Sequence, residues 1–464
     1  MAERSPEQVA KDAARVRSLV VESLERNQAL PVVLTSVQIS GGNRTRTSFL
    51  KTHLDELVSR PYTVTSLLQA LDEAAKRLES FGIFTGIKFE LDVDDKAAAS
   101  SSGTGVVPLV ATLRLAEGAS KRLRTGTDVG NGEVSGYVAG SLLNVFGGAE
   151  SVTVDANIGT RTKSSYVVNF TTPLQNSPVW TAALSAVAST NEKEWSSHDE
   201  AVRGIKALIS GHGVLGGRQE FGYEAFWRTV TGVKEYASTS VRSEAGDSFK
   251  SSFFNNWILD NRNDTLFPTA GYFVRVKNEV AGFVPENKGD VRFLKGEVDG
   301  QYVKSFGTND AVTVSVSARG GVLWSLFENG KTSIVDRFVL GGANDVRGFY
   351  LNRLGPSDEE DSIGGEAYAA AGLSIFSRIP RVNPESPLRF HLFANAGSLL
   401  GLNRANPGET IKEILTKPSV TAGLGLIYKH PVARFELNLT VPLAVRQGEF
   451  PRKGLQFGIG LSFL

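Results

Sequence analysis

The chain of 464 residues contains no cysteine. That excludes disulfide frameworks, thiolate metal sites and a cysteine nucleophile, and leaves the redox compartment open. No run of ~18 uninterrupted apolar residues occurs either, so no transmembrane helix is expected. Charge of one sign is also missing: 50 Lys and Arg stand against 49 Asp and Glu, a formal net charge of +1. No field marks nucleic acid as a partner. His53, His198, His212, His391 and His430 lie far apart without metal-ligand spacing and read as structural or solvated. Gly211–Gly216 spells Gly-His-Gly-Val-Leu-Gly, formally a dinucleotide fingerprint. No helix is expected after it, so it reads as a tight loop. No nucleophile elbow appears. The chain is not expected to be an enzyme, and no metal or cofactor is expected.

What is present is glycine, 48 residues, and a long alternation of apolar and polar residues. Residues 1–29 precede it as an amphipathic helix or a polar tail. Ser5, Pro6 and Gln8 suit a helix start, and Val9, Ala13, Val16, Val20 and Leu24 share one face. No signal peptide is expected there, and scattered acidic residues argue against a transit peptide. Residues 30–118 read as one small α/β domain. A strand at Val32–Ser40 is followed by helices at Ser48–Val58 and Thr63–Ser80, then strands at Phe84–Val93 and Val106–Leu115. Lys96–Gly105, rich in Ala, Ser and Gly, reads as a flexible loop.

Residues 119–464 have a different texture. In Ser151–Gly159, Val152, Val154, Ala156 and Ile158 alternate with polar residues. Ala311–Arg319, Ala433–Val441 and Gly454–Leu464 repeat the pattern. Period two places the two sets on opposite sheet faces. A soluble sandwich would alternate in the same way. The segments are long, however, against ~5–6 residues for ordinary strands. No helix is expected to interrupt them from Arg122 onward. Aromatics (Phe253, Phe254 and Trp257; Tyr223, Phe226 and Trp227) read as clusters at segment ends, as in interfacial girdles. The expected fold is membrane all-β: a closed antiparallel transmembrane barrel of about sixteen strands, preceded by the small α/β domain.

One segment stands apart: Phe338-Val-Leu-Gly-Gly-Ala-Asn-Asp-Val-Arg-Gly-Phe-Tyr350. It lies in a long connection before the fifth-last strand, and long loops in compact folds are usually functional. The alternative is an exposed turn with a solvated Arg347. Val346-Arg347-Gly348-Phe349, preceded by Phe338-x-Leu-Gly341-Gly342, resembles the loop signature of the BamA-type barrel insertase superfamily. Residues 30–118 resemble a POTRA domain, the soluble module that precedes such barrels. Asn131-Gly132 with Leu143–Gly147, and Phe393-Ala394-Asn395-Ala396-Gly397, resemble further barrel motifs of the family. With one POTRA-like domain and no cleavable leader expected, the chain resembles the mitochondrial branch, the barrel subunit of the outer-membrane sorting and assembly machinery.

That resemblance implies an insertase for β-barrel precursor proteins, integral to the mitochondrial outer membrane and in contact with its lipid. It implies an N-terminal domain in the intermembrane space and metaxin-like accessory subunits on the cytosolic side. It implies a loop around residues 338–364 folded into the lumen, where Arg347 bonds the wall. Bacterial relatives carry an aspartate at the position of Asn395 and often a glutamate near Ser374, so the partner of Arg347 stays open between Glu366 and Glu436. A lateral gate is expected between the first strand (Leu123, Thr125, Thr127) and the last (Gly454, Gly458, Gly460, Phe463), because glycine weakens strand pairing. Gln456-x-Gly458-x-x-Leu461-x-Phe463 resembles the sorting signal of the family's clients. The rival readings are a polypeptide-translocating pore of the same superfamily, a passive porin and a barrel-anchored enzyme.

Overall fold

The computed structural model describes residues 26–100, 105–130, 133–213, 215–283, 290–307, 310–328, 330–383, 386–431, 433–460 and 463–464. The helix or tail expected over 1–29 lies outside them as far as residue 25, as do the Asn131-Gly132 turn and Leu461. The chain forms two compact units. The first comprises Met1–Arg122 with Ser141–Val152 and Thr171–Thr181, and the second holds the remainder.

The N-terminal domain runs β1 (Pro31–Gly41), α1 (Thr47–Leu54), β2 (Pro61–Thr63), α2 (Val64–Glu79), β3 (Phe84–Val93), α3 (Asp95–Ser100) and β4 (Val107–Glu117). α2 forms because Leu67, Leu71, Ala74 and Leu78 recur at helical spacing, and all four are buried. Thr63 starts it: Ser66 N donates to Thr63 Oγ1 at 3.2 Å and Thr63 N donates to Ser66 Oγ at 2.9 Å. The sheet order is β2-β1-β4-β3. β1 and β4 are parallel, which requires the long crossover that the two helices supply. β2, three residues opening on Pro61, is too short to show period two. The loop expected at Lys96–Gly105 holds α3 at its start. Ala97–Ala99 favour a helix, and Asp94 Oδ1 accepts the Ala97 N–H at 3.1 Å.

His53 is buried in this core, its ring 5.2 Å from those of both Phe49 and Phe81. Burial, with Arg77 nearby, lowers its pKa from the ordinary value. The unfolded chain therefore takes up the proton first. The contribution of His53 to stability is complete above about pH 6.5 and is lost as pH falls below it. Hydrogen exchange of α1 and α2 amides, corrected for intrinsic rates, is expected to quicken between about pH 7.5 and 5.5. The same measurement on His53→Phe should show no such change. An equal pH response in the two proteins would remove His53 as the cause.

The second part of the chain is a sixteen-stranded sheet whose strands pair in sequence order, from Lys121–Gly130 at one end to Gly454–Gly460 at the other. Every pairing registered from His198–His212 onward is antiparallel. Strand Val312–Ser325 settles which face is which. Thr313, Ser315 and Ser317 are buried at 3, 4 and 7% exposure, whereas Val316 is 49% exposed. Polar residues point inward and apolar ones outward, the inverse of a soluble sandwich and the pattern of a lipid-facing wall.

Two expectations are corrected here. Helices do occur after Arg122, at Thr239–Arg242 and Pro407–Thr416, both in connections between strands. Among the described residues, no helix is long and apolar enough to cross a membrane. Phe253, Phe254 and Tyr223 lie in mid-strand, within Gly246–Asp260 and Arg218–Thr231, and not at strand ends. Strand Ser151–Gly159 has the bounds of its alternating segment, whereas Val312–Ser325 continues past Arg319. The glycine-rich stretch after Gly211 spans the end of strand His198–His212 and its turn into Arg218–Thr231, with which it pairs.

Candidate functional site

Strand Val312–Ser325 is joined to Ala367–Arg378 by the connection 326–366. The connection folds back on itself. Phe338 bridges Gly365, Leu340 bridges Leu354, and Ser357–Asp358 pairs with Asp361–Ser362. Gly341 and Gly342 reverse the chain with φ of +107° and +127°, which side chains rarely adopt. Asp345 closes the turn by accepting the Gly341 N–H on Oδ2 at 2.7 Å. Phe338, Leu340, Val346, Phe349 and Leu354 form one apolar cluster with Tyr368 and Leu399 of the wall.

At the tip of this loop Arg347 is fully buried. Its Nε donates to Glu436 Oε2 at 2.9 Å and Nη2 to Glu436 Oε1 at 3.2 Å, a two-pronged pair. Nη1 donates to the Leu464 carbonyl at 2.9 Å and to Asn395 Oδ1 at 3.4 Å. The rings of Phe393 and Phe463 stand 5.2 and 5.6 Å from the guanidinium carbon. Glu436 takes a second cation, Arg434, and the Asn438 side-chain amide at 2.8 Å. Asn438 Oδ1 lies 3.0 Å from His391 Nδ1, and His391 Nε2 lies 3.1 Å from Ser374 Oγ. Because Asn438 Nδ2 donates to Glu436, its Oδ1 accepts and His391 Nδ1 donates. Ser374 Oγ joins the same network through His391.

The loop also grips the last strand. Gln456 Oε1 accepts the Gly348 N–H at 2.9 Å, and its Nε2 donates to the Phe349 carbonyl at 3.1 Å. Asn344 Nδ2 donates to the Ile459 carbonyl at 2.7 Å, and Leu464 N donates to the Asn344 carbonyl at 3.2 Å. Thr421 Oγ1 donates to the Arg347 carbonyl at 2.6 Å. Gly348 has φ +85°, and a Cβ there would stand 2.8 Å from the Thr421 methyl. A Cβ on Gly458 or Gly460 would stand 2.8 or 2.6 Å from the Asn344 side chain. These two glycines therefore make room for the loop.

Val346, Arg347, Gly348, Phe349, Asn395 and Glu436 thus meet at one place, as do Gly341 and Gly342 at the neck of the turn. Glu366 does not join them. It accepts the Leu402 N–H at 2.8 Å and bonds Thr332 at the loop base. Of the gate residues, Leu123 is 73% exposed, and Thr125 and Thr127 are exposed on the first strand. A Cβ on Gly454 would meet nothing, while Phe463 packs against Arg347 and Arg434. Sequence reasoning missed Arg434, Asn344, Thr421, His391 and Asn438. Period two did carry a signal for two of them, since it places Arg434, Glu436 and Asn438 on one face. Among the described residues no group of His, Asp and Glu is disposed to hold a metal ion.

Residues 144–463 match the Omp85 superfamily domain. A SAM50-like protein of Schizosaccharomyces pombe is 40% identical over 455 residues, covering 96% of this chain and 93% of that protein. The chain belongs to the Omp85 superfamily and, within it, to the sorting and assembly machinery 50 family. The human sorting and assembly machinery component 50 homolog is 31% identical to this Omp85 chain, covering 93% of it and 91% of the human protein. The 50 kDa sorting assembly machinery subunit of Saccharomyces cerevisiae is 28% identical, covering 95 and 96%. BamA from Haemophilus ducreyi lacking POTRA domains 1–3 shares the fold, with a TM-score of 0.73 at 16% identity, over 92% of this chain and 84% of that one.

Proposed function

We propose that this Omp85 chain folds and inserts β-barrel precursor proteins into the mitochondrial outer membrane, by offering them a strand edge between its first and last barrel strands. The relatives named for the sorting and assembly machinery support the activity and the membrane. The observation that carries the route is the grip of the loop on strand Gly454–Gly460, one end of the sheet order, through Gln456 and Asn344, and on Leu464 beyond it through Arg347. At the other end, Lys121–Asp128 is exposed at every position but Gly126. A spanning sheet has to satisfy its edges, because each backbone group left unpaired in lipid costs several kcal/mol. A client strand that adds to an opened edge by main-chain hydrogen bonds escapes that cost. The step makes and breaks no covalent bond and needs no cofactor.

In this reading the N-terminal domain stands in the intermembrane space, and metaxin-like subunits join from the cytosolic side. The absence of native cysteine makes the route testable by thiol crosslinking. A client whose last strand carries one cysteine is expected to crosslink to positions 123, 125 and 127, and not to inward positions 315 and 317. Capture at 315 and 317 alone would favour the translocating pore.

A further inference from the structure

We infer that Arg228 is a positioning residue for the inward-folded loop, anchoring its base independently of the Arg347 tip. Arg228 lies in strand Arg218–Thr231, and Asp336 lies near the start of the loop. Arg228 Nη1 donates to Asp336 Oδ1 at 2.7 Å and Nη2 to Oδ2 at 3.1 Å, both side chains being 5% exposed or less. Lys295, from strand Phe293–Phe306, donates to the Asp336 carbonyl at 2.7 Å and stands 4.4 Å from the Phe338 ring. The connection 232–245 adds three contacts to the same loop. Ser238 N donates to Asp361 Oδ2 at 2.7 Å, Ser240 N donates to Asp358 Oδ2 at 3.1 Å, and Lys331 lies 3.3 Å from Glu244.

None of these partners is shared with the tip. The tip holds strands from Leu388–Leu400 onward and, through Asp345, Arg319 of Val312–Ser325 at 3.1 Å, while the base holds Arg218–Thr231 and Phe293–Phe306. The loop is therefore fixed at two separate parts of the sheet, and the segment from Asp336 to Arg347 is the arm between them. A buried fork of this kind is a poor source of net stability, since apolar residues of the same volume pack as well or better. It does fix register: Asp336 is satisfied in one place only, and that place sets how far the arm reaches. If the tip releases the last strand, as the proposed insertion requires, the base keeps the arm in the lumen to rebind.

The test uses the full chain in mitochondria, with a cysteine at buried position 346 as a probe. Thiol labelling of that cysteine and the rate of client assembly are both read. Arg228→Asp and Asp336→Arg, each alone, are expected to speed labelling and slow assembly by about 2- to 30-fold, the range for residues that couple through a positioned element. The exchanged pair carrying both changes should move both readouts back toward the starting chain. Unchanged labelling in either single variant would overturn the inference, and so would an exchanged pair no better than the singles. If a reversed charge blocks membrane insertion of the chain itself, Arg228→Met with Asp336→Leu replaces it. That pair packs without a fork, so a chain that inserts and labels fast is expected, and one that labels at the original rate would overturn the inference. Labelling does not depend on how clients travel, so a failure of the insertion reading is seen in assembly alone.

Discussion

Arg347→Ala is expected to free the loop tip and to reduce client assembly severely, while the chain itself still reaches the membrane. The substitution removes four donors at once. It leaves the Leu464 carbonyl and Asn395 Oδ1 without that partner, and Glu436 with only Arg434 and Asn438. Breaking a buried ion pair from one side costs about 3–5 kcal/mol. That exceeds what any single remaining tip hydrogen bond contributes, at about 0.5–1.5 kcal/mol each. The sheet keeps its own ladder, so the loss falls on the loop. Arg347→Lys is expected to rescue little, because an ammonium cannot span both Glu436 oxygens and also reach Asn395 and Leu464. Protease cleavage within 341–352 and the rate of client assembly are the two measurements. An alanine variant with a protected loop and normal assembly would show that the buried arginine is only packing.

Much of this architecture was legible because period two survives burial on one side. Val312, Val314 and Val316 against Thr313, Ser315 and Ser317 declare two faces, whichever face is outward. What the alternation left undecided was the direction, and exposure supplied it. In Gly246–Asp260 the inward set includes Phe254 beside the outward Phe253, so the aromatics seemed to mark a strand end. Helix Pro407–Thr416 was missed although Pro407 stands in its first turn and Ile411, Ile414 and Leu415 recur at helical spacing.

At the site, the loop motif was readable as a resemblance, but its partner was not. Glu366 and Glu436 both alternate inward, and only the path of the loop decides which one Arg347 meets. Arg228 was invisible for a similar reason. It is one of several inward charges on its strand, with Arg218, Glu220 and Glu224, and nothing local distinguishes it. Gly458 and Gly460 were read as weak points in strand pairing, whereas the structure gives them a second role as the space Asn344 occupies. Gaps left by missing side chains are filled from far along the chain, which no local pattern records.

The central claim is that clients enter between the first and last strands, and a disulfide across that seam tests it most directly. The chain has no cysteine of its own, so every crosslink is the intended one. Cysteines at 123, 125 and 127 are scanned against 455, 457 and 459. A pair that bridges must bring its Cβ atoms within about 3.5–4.5 Å, so bridging itself establishes that the two strands are neighbours. The energetic argument is that a few ladder bonds, at about 0.5–1.5 kcal/mol each, hold a seam that thermal opening can reach, whereas a covalent bond cannot open thermally at all. Oxidised, the bridged chain is expected to stop client assembly almost completely. Reduced, it should recover the rate of the single-cysteine controls. A bridged chain that assembles clients at the reduced rate would contradict the account and place the route elsewhere.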